Sequence, residues 1–392
     1  MRVLIVSANK EDNLGDILIY ESIKKHLNSR NCSVDSINYR LQYYDLSKEN
    51  VASTKDTLSE ARIKKQSLVV VKAKDFLKKY RFIYILSQCV YFLSRIKYYF
   101  DLSREKYKRA DVIVIGGGQI LMDTKYSILF SLNLFFHICM SRLFSKKILF
   151  LGVGIASEFN FSLTKTVIKY GFSCADAIMV RDVYSFHNAV NILGESKKVT
   201  FSIDLATLFP WQPHDNLEKI VGVSTLPYYD VRYFPLNDEV RFNQYKNAIK
   251  ECCSYIEKNT LYKVSLIPTT SIDATVAKEI DESIVDESHS VDELIEKINN
   301  CSLFIATRMH SFIASILLGK PALCFYWDNK IKGFISSFGG FSIDEYLFYE
   351  EDLERPDAIV NKLVSLESAN APTLGYQKNK LIKWIDLHVL AY

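Results

Sequence analysis

The chain has 392 residues, more than one ordinary hydrophobic core accommodates, so two domains of roughly 150 to 200 residues each are expected. Hydrophobic residues make up 48% and charged residues 24%, with 14 Gly and 8 Pro, a composition that excludes fibrous and disordered classes. The net charge is only +4, yet residues 62–109 hold fourteen Lys or Arg against Asp75, Asp101 and Glu105, so the basic charge is concentrated in one segment.

The eight cysteines form no C-x-x-C pair and several stand in apolar runs, which points away from a disulfide framework or a zinc site and toward a reducing compartment. A cytoplasmic location is expected, because the first apolar run is too short for a signal peptide and reads as a strand. Neither a metal, a cofactor nor a nucleic-acid partner is expected.

In chain order, a strand at 2–7 leads into Asn13-Leu14-Gly15-Asp16 and an apolar helix with Ile17, Leu18, Tyr20 and Ile23. Asp16 stands at that helix's N-terminus, where a carboxylate either caps the helix or takes a hydrogen bond or a proton from a substrate hydroxyl. A strand at 34–38 precedes a basic, aromatic helical insertion at about 55–109. Its mixture suits helices lying on an anionic membrane surface, and equally a solvated face whose aromatics are core. The apolar stretches 82–93 and 127–144 are too short or too interrupted, by Asn133, His137 and Arg142, to span a membrane.

A strand at 111–115 runs into Gly116-Gly117-Gly118, with Asp123 just beyond, and a strand at 147–153 ends in Gly152-Val153-Gly154. Neither run is the G-x-G-x-x-G of a nicotinamide site; both let the backbone pass close to a ligand. The strand 177–181 ends in Arg181-Asp182 with Ser185 one turn on, and a strand at 200–203 follows. Two prolines in 209–216 break the pattern and mark a linker.

The second half repeats the alternation: strands at 219–224, 262–268, 302–306 and 321–326, with helices between them. Ser290 and Glu293 form a capping box, and Gly319 stops the helix 311–318. The domains are therefore expected at 1–208 and 218–376. A closing helix at 377–392 can, in folds of this type, pack back on the first domain. The fold class is α/β, two doubly wound domains.

Ligands of open parallel sheets bind beyond the carboxyl ends of the strands, beside helix N-termini. Thr307-Arg308-Met309-His310 occupies that place. Arg308 can grip a carboxylate or phosphate through two parallel hydrogen bonds and His310 can move a proton; alternatively Arg308 forms a structural ion pair and His310 caps its helix.

Taken in order, Asn13-Leu14-Gly15-Asp16, Gly116-Gly117-Gly118, Gly152-Val153-Gly154, Arg181-Asp182-x-x-Ser185, Asp204-x-Ala206, Arg308-x-His310, Gly319-Lys320-Pro321 and Tyr326-x-x-x-Lys330 resemble the polysaccharide pyruvyl transferase family. The resemblance implies two Rossmann-like domains facing a cleft, similar to the glycosyltransferase type B arrangement. It also implies transfer of a pyruvyl group from phosphoenolpyruvate to two hydroxyls of a sugar as a cyclic ketal. Arg308 and Arg181 then hold phosphoenolpyruvate, with Met309 and Lys330 beside them, and His310 is the acid-base residue. Asp16 is the candidate base, and Asn13, Gly117, Gly118 and Asp123 line the acceptor cleft.

The resemblance implies that the sugar belongs to a surface polysaccharide or to its lipid-linked precursor; residues 62–109, which carry no motif of the resemblance, are expected from their charge and aromatics to bring the enzyme to the inner face of the membrane. Two other readings stand beside this one. One is a glycosyltransferase of the same architecture using a nucleotide sugar; the other is a non-catalytic module docking polysaccharide synthesis to the membrane.

Overall fold

A computed structural model describes residues 1–9, 12–42, 80–194, 198–214, 219–230, 238–337, 342–368 and 374–391; the 55–79 part of the expected basic insertion lies outside the described residues. The chain forms two compact units, one of Met1–Lys10, Leu27–Ser202 and Lys383–Tyr392, the other of Glu11–His26 and Ile203–Ile382.

The first unit is a parallel sheet in the order β2-β1-β3-β4-β5-β6, with β1 Arg2–Ser7, β2 Ser33–Asn38, β3 Val112–Leu121, β4 Lys147–Ile155, β5 Ala177–Val180 and β6 Val199–Phe201. Its central strands are buried on both faces, which is why they read as unbroken apolar runs. The glycine run does not follow β3, as expected, but lies inside it. Gly117 and Gly118 adopt φ of 82° and 77°, the register with β4 shifts between Gly118 and Leu121, and the strand continues to Leu121. Gly116 has a packing reason as well, since a β-carbon there would meet the Leu151 carbonyl oxygen at 2.0 Å.

Helices α1 (Leu14–Ser29), α2 (Arg81–Arg109), α3 (Leu129–Leu143), α4 (Ser162–Cys174) and α5 (Val183–Leu193) connect these strands. His137 of α3 is fully buried: the Tyr107 hydroxyl lies 2.8 Å from Nδ1 and the Tyr39 carbonyl 3.0 Å from Nε2. Because a carbonyl only accepts, Nε2 carries the proton and Nδ1 accepts from Tyr107. Burial pushes the His137 pKa down to about 4.

The second unit holds a parallel sheet in the order β11-β10-β9-β7-β8, from β7 Ile220–Val223, β8 Lys263–Leu266, β9 Leu303–Ala306, β10 Ala322–Phe325 and β11 Leu347–Phe348. The two-residue edge strand β11 has no periodicity to read and was not expected from sequence. Helices α6 (Glu239–Asn259), α7 (Ser271–Asp281), α8 (Val291–Asn299), α9 (Met309–Leu317), α10 (Asn329–Ile335) and α11 (Pro356–Ser365) complete the unit, and α12 (Gly375–Ile385) leads into a π-helical turn, Asp386–Leu390. Ser290 caps α8 by accepting from the Glu293 amide at 3.1 Å.

The expected continuous domain 1–208 is thus interrupted, because residues 11–26 group with the second unit. Hydrogen bonding explains it. The Leu14 amide donates to the Thr269 carbonyl at 3.1 Å, and Asp12 accepts from the Ser271 amide at 2.9 Å. Among the described residues, no helix is long and apolar enough to cross a membrane.

Candidate functional site

In the second sheet the chain proceeds from β7 outward to β8 and then returns to β9 on the other side, so the strand order reverses between β7 and β9. Such a reversal opens a crevice at the carboxyl ends of the two strands. The sequence-predicted Thr307-Arg308-Met309-His310 stands there. The Thr307 amide donates to Ser224 Oγ at 2.8 Å, the Thr307 hydroxyl donates to the Ser224 carbonyl at 2.9 Å, and Trp327 Nε1 donates to the Thr307 carbonyl at 2.7 Å. Ser224 is fully buried, and its hydroxyl also meets Ser311 Oγ at 3.0 Å. These bonds fix the strand-to-helix turn from which α9 starts, with Arg308 at its N-cap.

His310 follows in the first turn of α9. Its Nε2 lies 3.9 Å from Oδ2 of Asp204, a buried carboxylate whose Oδ1 accepts from the Ala206 amide at 2.9 Å and so caps the short helix Leu205–Leu208. A carboxylate at that distance counters the positive charge the ring gains whenever it takes a proton. The other side of the ring rests on α1: a β-carbon on Gly15 would lie 2.3 Å from His310 Nδ1. Glycine at position 15 is therefore what lets the imidazole sit there.

Arg308 has a partner the sequence did not reveal. Its Nε donates to Asp273 Oδ2 at 3.0 Å and its Nη2 to Asp273 Oδ1, a two-pronged pair with a carboxylate of zero exposure. Thr269 Oγ1 donates to the same carboxylate at 3.0 Å, and Asp273 lies in the first turn of α7, capped by Thr270. The pairing holds the guanidinium plane rigidly. It makes Arg308 an element of the local framework, the alternative left open by the sequence.

The first turn of α1 belongs to the same unit. Asn13 caps it, accepting from the Gly15 amide at 3.0 Å and donating through Nδ2 to Asp16 Oδ2 at 2.9 Å. Asn13, Asp16, Arg308 and His310 are thus gathered through the Leu14–Thr269 backbone bond and the Gly15–His310 contact. Met309 is buried and packs in the core of the unit. The Lys330 ammonium lies 4.1 Å from the ring centre of Trp327 and 3.6 Å from Asp328 Oδ2.

The remaining predicted residues lie in the first unit. Arg181, at the end of β5, is buried; its guanidinium donates to Asp182 Oδ2 at 3.2 Å and to Gln119 Oε1, and lies so near Gly154 that a β-carbon there would be 2.8 Å away. Asp182 also caps α5 by accepting from the Ser185 amide at 2.7 Å, which accounts for the Arg-Asp-x-x-Ser spacing. Gly117 and Gly118 are buried within β3. Asp123 accepts from the Asn160 and Phe161 amides, from Asn160 Nδ2 and from Thr164 Oγ1, so this carboxylate organises the entry to α4. A shallow groove of about 490 Å³, lined in part by Glu158, Phe159, Lys165 and Asn188, opens beside the end of β4 and contains none of the predicted residues.

Sequence reasoning singled out Asp204 only as part of a motif, and Asp273 not at all. The short spacing to Ala206, a capping signature, was the available signal for the first. The second had none beyond its place early in a helix.

The sequence model of the family described as polysaccharide pyruvyl transferase matches residues 13–329. No curated protein sequence matches the chain. Among solved structures, UDP-GlcNAc 2-epimerase from Methanocaldococcus jannaschii is similar with a TM-score of 0.50 at 10% identity, covering 99% of this chain and 100% of that one. A putative UDP-N-acetylglucosamine 2-epimerase from Listeria monocytogenes gives 0.50 at 12% identity, covering 100% and 97%. HepE from Anabaena, solved in complex with UDP and glucose, gives 0.50 at 10% identity, covering 100% and 99%. At these identities the likeness concerns the fold.

Proposed function

Because the chain belongs to the polysaccharide pyruvyl transferase family, we propose that it transfers the three-carbon unit of phosphoenolpyruvate to two hydroxyls of a sugar, forming a cyclic pyruvate ketal and releasing phosphate. The acceptor in this reading is a sugar of a surface polysaccharide or of its lipid-linked precursor, and the reaction takes place in the cytoplasm.

The chemistry needs a proton carrier. One hydroxyl oxygen adds to the phosphate-bearing carbon while the methylene carbon takes a proton. Phosphate then leaves, the second hydroxyl closes the ring, and its proton departs with the phosphate. Over both steps the two hydroxyl protons end on the methyl group and on phosphate, so no oxidant or external acid is required.

His310 is the group suited to that traffic, and the observation that carries the reading is its placement between Gly15 and the buried carboxylate of Asp204, at the carboxyl edge where the sheet reverses. The ring stands between these two groups, with the Asp204 carboxylate facing its Nε2. Asp16, one residue beyond Gly15 and tethered to Asn13, is the base proposed for the attacking hydroxyl. Arg308, fixed by Asp273, and Arg181, fixed by Asp182 and Gln119, supply the positive charge proposed to meet the carboxylate and phosphate of the donor, with Met309 and Lys330 beside Arg308. Asn13, Gly117, Gly118 and Asp123 are the positions proposed for the acceptor side.

The test is incubation of pure protein with phosphoenolpyruvate and a panel of galactosides and lipid-linked sugars. Phosphate release together with a product heavier by one pyruvic acid less one water supports the reading. Absence of both across the panel, with thermal protection by a nucleotide sugar and none by phosphoenolpyruvate, overturns it.

A further inference from the structure

Helix α2 is held to the first unit by one face. Phe92 and Tyr99 meet the ring of Phe136 at 6.5 and 6.4 Å between centroids, and Gln88 donates to the Tyr126 carbonyl at 2.6 Å and accepts from the Ile128 amide at 3.2 Å. The adjoining face carries Phe82, Ile83, Leu86, Val90, Leu93 and Ile96, all exposed, with Phe82 at 80%, Val90 at 59% and Leu93 at 62%. At 3.6 residues per turn these six fall within an arc of about 140° and run about 21 Å along the helix. Scattered exposed apolar residues are ordinary, but a continuous stripe of this kind marks a surface that something covers.

Toward the C-terminal end the same arc turns basic. Lys97, Arg104 and Lys108 occupy it, with Asp101 at its edge, and all four are exposed. Across its 29 residues the helix has seven Lys or Arg against Asp101 and Glu105. This polarity along the axis decides between occupants. A second copy laid antiparallel would place these cations on its partner's apolar half, and a parallel copy would set like charges opposite one another. A bilayer with anionic headgroups satisfies both halves together, because the apolar residues enter the acyl boundary while the cations stay at the phosphate level. Being too polar to span a membrane, the helix lies in the interface plane.

We infer that α2 docks this protein on an anionic lipid surface, with Phe82 to Ile96 inserted and Lys97, Arg104 and Lys108 on the headgroups. The inference does not depend on the transfer reaction proposed above.

The experiment is cosedimentation of the full chain with phosphatidylcholine vesicles, with and without phosphatidylglycerol, at low and high salt. Binding is expected to the phosphatidylglycerol vesicles, at least about tenfold stronger than to phosphatidylcholine alone and weakened by salt. The triple variant Phe82→Ser, Leu86→Ser, Leu93→Ser is expected to lose on the order of a hundredfold in partitioning. Lys97→Glu with Lys108→Glu is expected to lose the lipid preference. All replaced side chains are exposed, so unfolding temperatures should match the parent. No sedimentation with either vesicle overturns the inference, as does a serine triple that binds like the parent. So does concentration-dependent self-association without lipid binding that the serine triple abolishes.

Discussion

The imidazole of His310 rests against Gly15 so closely that a β-carbon on that glycine would stand 2.3 Å from Nδ1. Gly15 lies in the first turn of α1 without a left-handed φ, so alanine suits its backbone and by itself stabilises a helix by up to about 1 kcal/mol. Gly15→Ala is therefore expected to leave thermal stability unchanged or raised while displacing the ring and lowering turnover on the order of a hundredfold. Turnover equal to the parent would show that the ring's place is not needed.

Asp204 has two duties that one substitution separates. Asn retains an oxygen to accept from the Ala206 amide but removes the charge that faces His310. Asp204→Asn is expected to keep the fold, by circular dichroism and melting, and to reduce turnover by roughly a hundredfold or more. Asp204→Ala should also lower the melting temperature, because the cap is lost.

The Arg308–Asp273 pair gives stability and activity a common dependence. Removing one partner of a buried pair leaves an uncompensated charge, at a cost of about 3 kcal/mol. Arg308→Ala is expected to lower both the unfolding midpoint in urea and the affinity for phosphoenolpyruvate, whereas His310→Asn should lower turnover and leave the midpoint near the parent's. A variant Arg308→Ala with unchanged phosphoenolpyruvate affinity would restrict Arg308 to a framework role.

His137 makes stability depend on pH in a defined window. Its folded pKa, about 4, lies below the ordinary histidine value near 6.5. On acidification the unfolded chain binds the proton first, so this contribution is full above pH 6.5 and is lost as pH falls toward 4. The loss is on the order of 3 kcal/mol. Urea unfolding at stepped pH should show the decline, and His137→Leu should flatten that part of it while lowering stability at pH 7.5. The hydrogen bonds of His137 with the Tyr107 hydroxyl and the Tyr39 carbonyl would then be lost.

What the sequence by itself determined is local. Strands buried on both faces must be apolar throughout, so β1, β3, β4, β5 and β9 announce themselves, and so do the cap at Ser290 and the placement of Arg308 and His310 where a buried strand opens into a helix. Tertiary structure alone decided what those residues face. A parallel sheet brings the carboxyl ends of its strands together whatever their separation along the chain, and that assembly set Asp273 beneath Arg308 and Ser224 against Thr307; Asp204 reaches His310 by capping the short helix Leu205–Leu208, which groups with the second unit. No short-range pattern encodes such partners. The glycine run makes the same point in reverse: its freedom of φ was legible, but only pairing with β4 placed it inside a strand, just before a shift of register.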